Sequence, residues 1–258
     1  MTARIQMFLS NEQTNMLQLE QIFDVYKKEI APLFHFDETQ RENFVISKVR
    51  ELQRHFEDEE DAYEHACELL FMREKMGYQH RCFVVTQLYS VFEQQVLQCF
   101  RGEVMRGNFV TSKDKTDKPA GSPYSYSEFN DNAQYAIKWL EKIKNSDEAW
   151  FSEEHYDCIV ELSNLNNAIK HGLGKSFNTL KDKSSHLINT QKFVFEEQSY
   201  TPKDFVNRGN KEFKTLAQST LFDEVFLLTD EKVEAYKNLL VDFWYKSSVL
   251  LNGFHISI

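Results

Sequence analysis

Apolar residues recur along most of this chain at alternating steps of three and four, the spacing that lines them up on one face of an α-helix. Leu17, Leu19, Ile22, Phe23 and Tyr26 mark a first amphipathic helix over 11–33, which stops at Ala31-Pro32-Leu33-Phe34. Asp37 reads as the cap of a second helix, with Phe44, Val45, Val49 and Leu52 along 41–56. A third follows from Glu59 to Met76 on Ala62, Ala66, Leu69 and Leu70, and Gly77 reads as its break. The densest pattern comes next. Val85, Tyr89, Phe92, Val96 and Cys99 keep the helical period while Phe83, Val84, Leu88, Val91 and Leu97 widen the apolar surface nearly all round. Such a helix belongs in the middle of a bundle, and Glu93 within it needs a partner or an exit to solvent.

Between 107 and 127 the composition changes to Lys, Asp, Thr, Gly, Pro and Ser, which predicts an exposed linker. Helices resume over 127–145, with Ala133, Ile137, Trp139 and Leu140 inward, and over 153–171, with Ile159, Leu162, Leu165 and Ile169 as the buried stripe. After Gly174 the helical rhythm weakens. Partial alternation of β-branched and aromatic residues over 186–197, and a second short apolar run over 221–229, predict a small antiparallel strand pair. A last amphipathic helix spans 229–251, with Asp230 near its start and Val233, Tyr236, Leu240, Phe243, Trp244 and Leu250 available to pack. The expected fold is an all-α helical bundle with a small β-strand pair in its C-terminal part. Its expected divisions are N-terminal helices (1–58), a helical core (59–175) and a tail holding the strand pair and last helix (176–258).

Composition sharpens this picture without changing it. Only 8 Gly and 4 Pro among 258 residues leave few tight turns, which disfavours a barrel or sandwich. A net charge of -10 argues against generic nucleic-acid affinity, since phosphate binding rests on Lys and Arg releasing counterions. The charge is uneven, however. Six acids fall between Glu57 and Glu64, whereas from Asn166 to Thr190 four lysines (170, 175, 181, 183) meet one acid, Asp182. A solvated mixed-charge face accounts for the lysines as well as a binding surface does. Cys67, Cys82, Cys99 and Cys158 are widely spaced within apolar patterns and read as reduced core residues. No apolar run has the length of a signal peptide or a membrane span, so a reducing cytoplasm is the expected compartment. No cofactor motif or metal-ligand spacing is found: the histidines are scattered, and the acids over 57–64 lack a calcium loop's glycine turn.

The chemistry-bearing stretch is "LNNAIKHGLGKS", 165–176. Gly174-Lys175-Ser176 resembles the end of a phosphate loop, but the required glycine five residues earlier is Ile169, inside a helix. Gly172 and Gly174 read instead as helix terminators. His171 then stands where free carbonyls and the negative end of the helix dipole favour a protonated imidazole, able to donate a proton near neutrality. At 100° per residue Asn164, Asn167 and His171 fall within about 60° of one another, a polar ridge opposite the buried stripe. A surface face whose histidine merely caps carbonyls is the other reading of the same residues.

A long helix containing "LYSVFE" followed by a late helix ending "NNAIKHG" resembles the HEPN superfamily of all-helical prokaryotic proteins. The resemblance covers about Glu59 to Lys175. That family is marked by an arginine, four to six residues and a histidine, commonly with asparagine after the arginine; Asn167 matches its polar residue and His171 its histidine. The resemblance implies a homodimer in a bacterial toxin–antitoxin or phage-defence setting, with metal-independent RNA cleavage at the dimer interface and an antitoxin or defence protein as partner. The arginine's place holds Asn166, which brings no charge to a crowded phosphate. On this reading His171 is the general acid or base, Asn167 orients imidazole or phosphate, and Asn166 stands at the motif's first position. Glu93 tethers the site, and Lys170, Lys175 and Asn164 hold RNA. A silent helical interaction module is the alternative. Arg50 with His55, and Arg73 with His80, also meet the spacing: the first pair reads as mid-helix and the second as straddling Gly77. Arg81 is a further basic residue on the central helix.

Overall fold

The computed structural model describes residues 2–105, 136–144, 151–189 and 224–253. These residues are mainly helical, as the apolar periodicity requires: α1 (Thr2–Val25), α2 (Glu38–Leu52), α3 (Glu59–Met105), α4 (Ala136–Lys144), α5 (Glu153–His171), α6 (Lys175–Lys183) and α7 (Asp230–Gly253). A π-helical turn (Tyr26–Ile30) and a 3-10 turn (Ala31–Leu33) follow α1, with Pro32 in the first turn of the latter. The expected linker 107–127 and the start of the helix expected from 127 lie outside the described residues.

Several local outcomes differ from the sequence expectation, beginning with α1, which runs from Thr2 to Val25 rather than over 11–33. The helices on either side of Gly77 are one continuous α3 of 47 residues. A lone glycine costs a helix only about 1 kcal/mol, and Gly77 is buried, with the Phe34 side chain against it. The second helix ends at Leu52, so Arg50 lies in its last turn and His55 beyond it, rather than mid-helix. A short helix, α6, occupies the stretch where the rhythm weakens, because Phe177 and Leu180, three apart, are both buried. Asp37 caps α2 as expected: its side chain accepts the Gln40 amide at 2.8 Å, and the Gln40 side chain accepts the Asp37 amide at 3.0 Å. Among the described residues no strand forms. One isolated antiparallel bridge, Ile188 with Phe226, joins the two segments expected to pair, and 190–223 lies outside the described residues.

The described residues fall into two compact units. The first draws on Met1–Ile22, Thr86–Asn166 and Glu234–Ile258; the second on Phe23–Val85 and Asn167–Val233. In the first unit Leu88, Tyr89, Phe92 and Val96 of α3 are buried, as are Ile159, Leu162 and Leu165 of α5 and Leu240, Phe243 and Trp244 of α7. The Phe243 ring meets Phe92 edge-on at 5.1 Å and Phe151 at 5.4 Å. In the second unit Tyr78 of α3 accepts the Phe226 amide at 3.3 Å, and Phe177 packs 6.2 Å from Phe226. Cys82 is buried there, its thiol pushed up to about 12 by burial, whereas Cys67, Cys99 and Cys158 are only half-buried. Among the described residues no helix is long and apolar enough to cross a membrane.

Candidate functional site

His171 is the last residue of α5 and is exposed. The helix stops there because Gly172 adopts φ 76°, a left-handed conformation that side chains disfavour, while its amide still bonds the Ala168 carbonyl at 2.9 Å. Gly174 is not a second terminator: its extended backbone opens α6, so Lys175 and Ser176 begin a helix that follows a helix, and no strand-fed phosphate loop exists here. Lys170, His171 and Lys175 are all exposed, and Asn167 is half-buried. Among the described residues the His171 ring has no hydrogen-bond or ion-pair partner, which leaves it available to solvent.

The other carboxamides of the motif are placed differently. Asn164 is half-buried and donates from Nδ2 to the Val160 carbonyl at 3.0 Å, a bond within its own helix. Asn166 is 3% exposed, and its Oδ1 is buried without a hydrogen-bond partner. Five helical residues turn the chain by about 140°, so Asn166 and His171 point to different sides of α5. Asn166 shares the side of Ile159 and Leu162, both fully buried. Glu93, in the first unit, is half-buried, and its Oε1 accepts a long 3.4 Å bond from the Tyr89 hydroxyl.

Arg73 and His80 have other duties. Arg73 donates from Nε to the Leu33 carbonyl at 3.0 Å and lies over the Phe36 and Phe44 rings at 4.9 and 5.4 Å. His80 stacks on Phe34 with centroids 4.8 Å apart. Arg81 belongs to a cluster that no sequence motif announces. Its Nη1 is 3.3 Å from His35 Nε2 and 3.7 Å from Asp230 Oδ1, His35 Nε2 is 3.3 Å from Asp230 Oδ2, and the Tyr26 hydroxyl donates to Asp230 Oδ1 at 2.6 Å. Burial and the adjacent Asp230 carboxylate hold the Tyr26 phenol well above its ordinary range, so it remains a donor. An open cleft of about 480 Å³ adjoins the cluster, lined in part by Phe34, His35, Arg41, Glu74, Arg81 and Glu224. Arg41 Nε lies 2.7 Å from Glu74 Oε1, so both guanidiniums in the cleft already face a carboxylate. The residues sit at 26, 35, 81 and 230, too scattered for spacing to reveal, although the π-helical turn at Tyr26 is a local irregularity of the kind often found at special sites.

A Ser-His-Asp order also occurs in the first unit. Ser152 Oγ is 2.9 Å from His155 Nδ1, and His155 Nε2 is 2.7 Å from Asp242 Oδ2. Ser152 also accepts the His155 amide at 3.3 Å just ahead of α5, and Asp242 pairs with Lys246 at 2.7 Å. The arrangement therefore reads as a helix cap tied to α7 by a hydrogen bond. Lys246, and then His155, hold the Asp242 carboxyl below its usual range. Among the described residues no group of three His, Cys, Asp or Glu side chains is placed to hold a metal ion. Compared with family models, curated proteins and solved structures, the chain matches none.

Proposed function

We propose that this is a HEPN-like cytoplasmic protein of a bacterial toxin–antitoxin or phage-defence system, one that engages RNA as a homodimer through the basic end of α5 and the start of α6. The observation that carries the reading is the exposed, unpartnered imidazole of His171 at a glycine-stopped helix end, with Lys170 and Lys175 exposed in the same short stretch. Lysines in such a place neutralise phosphates and release counterions, and an imidazole beside them can carry a proton to or from a ribose hydroxyl. Asn167 is the nearest family-matched polar residue in the helix. Cleavage also calls for a fixed positive charge on the phosphate.

The burial of Asn166 favours a second reading, a catalytically silent interaction module that keeps fold and dimer. A side chain on the inner side of α5 does not meet a phosphate held at His171. Comparing wild type with His171→Ala in expressing cells separates the two readings. If RNA is cut, the variant halts RNA loss while its circular dichroism is unchanged, and Lys170→Glu with Lys175→Glu lowers RNA retention in a mobility-shift assay at least tenfold. Continued RNA loss from the His171→Ala variant eliminates this site. Intact RNA in cells expressing wild type, together with a stable dimer in solution, selects the silent module.

A further inference from the structure

Long helices in soluble proteins bury their apolar stripe, yet one stretch of α3 in the second unit does not. Met72, Met76 and Phe83 are 60%, 46% and 52% exposed. At 100° per residue they lie within about 40° of one another and extend along about 16 Å of helix. With half-buried Leu69 and Gln79 they form a run at steps of three, four, three and four, the seam by which one helix packs against another. Single exposed apolar side chains are ordinary, but a continuous row marks an interaction surface.

The acids at the N-terminal end of the seam argue for what covers it, with half-buried Lys75 a cation farther along. Glu68 and Glu64, one and two turns before Met72, are exposed, Glu68 with His65 Nδ1 3.4 Å from its Oε2, and Glu57 to Asp61 precede them with five acids in succession. Acids in the first turn favour the helix by themselves, but Glu64 and Glu68 lie beyond it. A second copy would bring the same acids to a contact between chains of net charge -10. Methionines supply a deformable apolar surface that accepts varied side chains. We propose that this face of α3 docks a basic amphipathic helix of another protein, whose apolar residues at three–four spacing cover Met72, Met76 and Phe83 and whose Lys or Arg residues meet Glu64 and Glu68. The inference does not depend on His171 engaging RNA.

The test uses the full chain and two labelled 18-residue helical peptides, identical in leucines at three–four spacing but carrying either lysines or glutamates on the flanks. Fluorescence anisotropy should show the lysine peptide binding at least tenfold more tightly, with the difference shrinking as salt rises. Met72→Ser with Met76→Ser should weaken that binding at least tenfold, and Glu64→Gln with Glu68→Gln several-fold. These side chains are exposed, so folding should survive, and circular dichroism checks it. Equal binding by wild type and the methionine variant overturns the proposal. So does a wild-type dimer in sedimentation that the methionine substitutions dissociate, since a second copy would then own the face.

Discussion

The buried polar network of the first unit and the cleft cluster of the second hold polar atoms in different ways. The first buries them within packed helices: Trp244 Nε1 donates to Gln95 Oε1 at 2.9 Å, Gln95 Nε2 donates to the Asn15 carbonyl and Gln18 Oε1, and Ser247 Oγ donates to Glu12 Oε1 at 3.0 Å. Glu12 is 1% exposed, and its Oε2 has no hydrogen-bond partner. The second gathers Asp230, Arg81 and His35 beside an open cleft, with the Arg81 guanidinium 3.7 Å from Asp230 Oδ1 and His35 Nε2 3.3 Å from Asp230 Oδ2. Burial thus works against the ionised state of Glu12 in the network, whereas the cleft cluster sets the Asp230 carboxylate beside a guanidinium. A buried polar network specifies one packing arrangement; a paired cluster at a cleft keeps charges where another molecule can meet them.

The largest expected contrast concerns rings. Phe243 is 1% exposed and surrounded by Phe92, Phe151 and Trp244, so Phe243→Ala should cost about 4 kcal/mol through lost burial and an unfilled cavity. Phe36 is half-buried, with the Arg73 guanidinium on one side, so Phe36→Ala should cost about 1 kcal/mol. Urea titration of both variants checks the ranking. Similar losses would mean that the cleft wall is packed as tightly as the first unit's core.

A sharper comparison makes the same isosteric change in both units. Burial pushes the Glu12 carboxyl up to about 7, against an ordinary 4.5, and the Ser247 hydroxyl only partly opposes it. The folded state therefore binds the proton more tightly than the unfolded chain. This contribution to stability is complete below about pH 4.5, is lost as pH rises through about 7 and is constant above that, a change of about 3 kcal/mol. Glu12→Gln keeps an acceptor for Ser247 and has no charge to bury. It should stabilise the protein by about 3 kcal/mol at about pH 8, with little effect at about pH 4. Asp230→Asn should do the reverse: it retains an acceptor for Tyr26 but leaves the Arg81 guanidinium, whose side chain is 18% exposed, without its carboxylate, at a cost of about 2 kcal/mol. Thermal melts at two pH values read both signs, and stabilisation by Asp230→Asn would erase the distinction between the units.

The first unit's core was the more legible in sequence because its information is local. Tyr89, Phe92 and Val96, and Ile159, Leu162 and Leu165, announce their burial by spacing alone. Phe83 belongs to the same apolar run and is nevertheless 52% exposed, since periodicity shows which residues share a face but not whether anything covers it. At the candidate site, the helix stop at Gly172 and the exposure of His171 follow from residue type. The inward placement of Asn166 could have been read from its angular position beside Ile159 and Leu162. The Tyr26–His35–Arg81–Asp230 cluster could not, because its members come from four separated stretches that only packing brings together.

Gly77 gives the smallest expected effect, and its sign is informative. Alanine in a helix interior gains about 1 kcal/mol over glycine, so on propensity alone Gly77→Ala should stabilise α3. The new methyl would stand 3.0 Å from the Phe34 Cβ, the side-chain atom fixed to the backbone just after the 3-10 turn. Phe34 cannot yield by rotating its ring, because its Cβ moves only with the chain, and displacing that chain disturbs the 4.8 Å stack on His80 and the Arg73 bond to Leu33. These losses should outweigh the propensity gain and leave a net cost of about 0.5 kcal/mol. A measured gain of about 1 kcal/mol instead would show that this wall of the cleft moves at little cost, and that the paired charges beside it, unlike the buried network of the first unit, are held by a frame that adjusts.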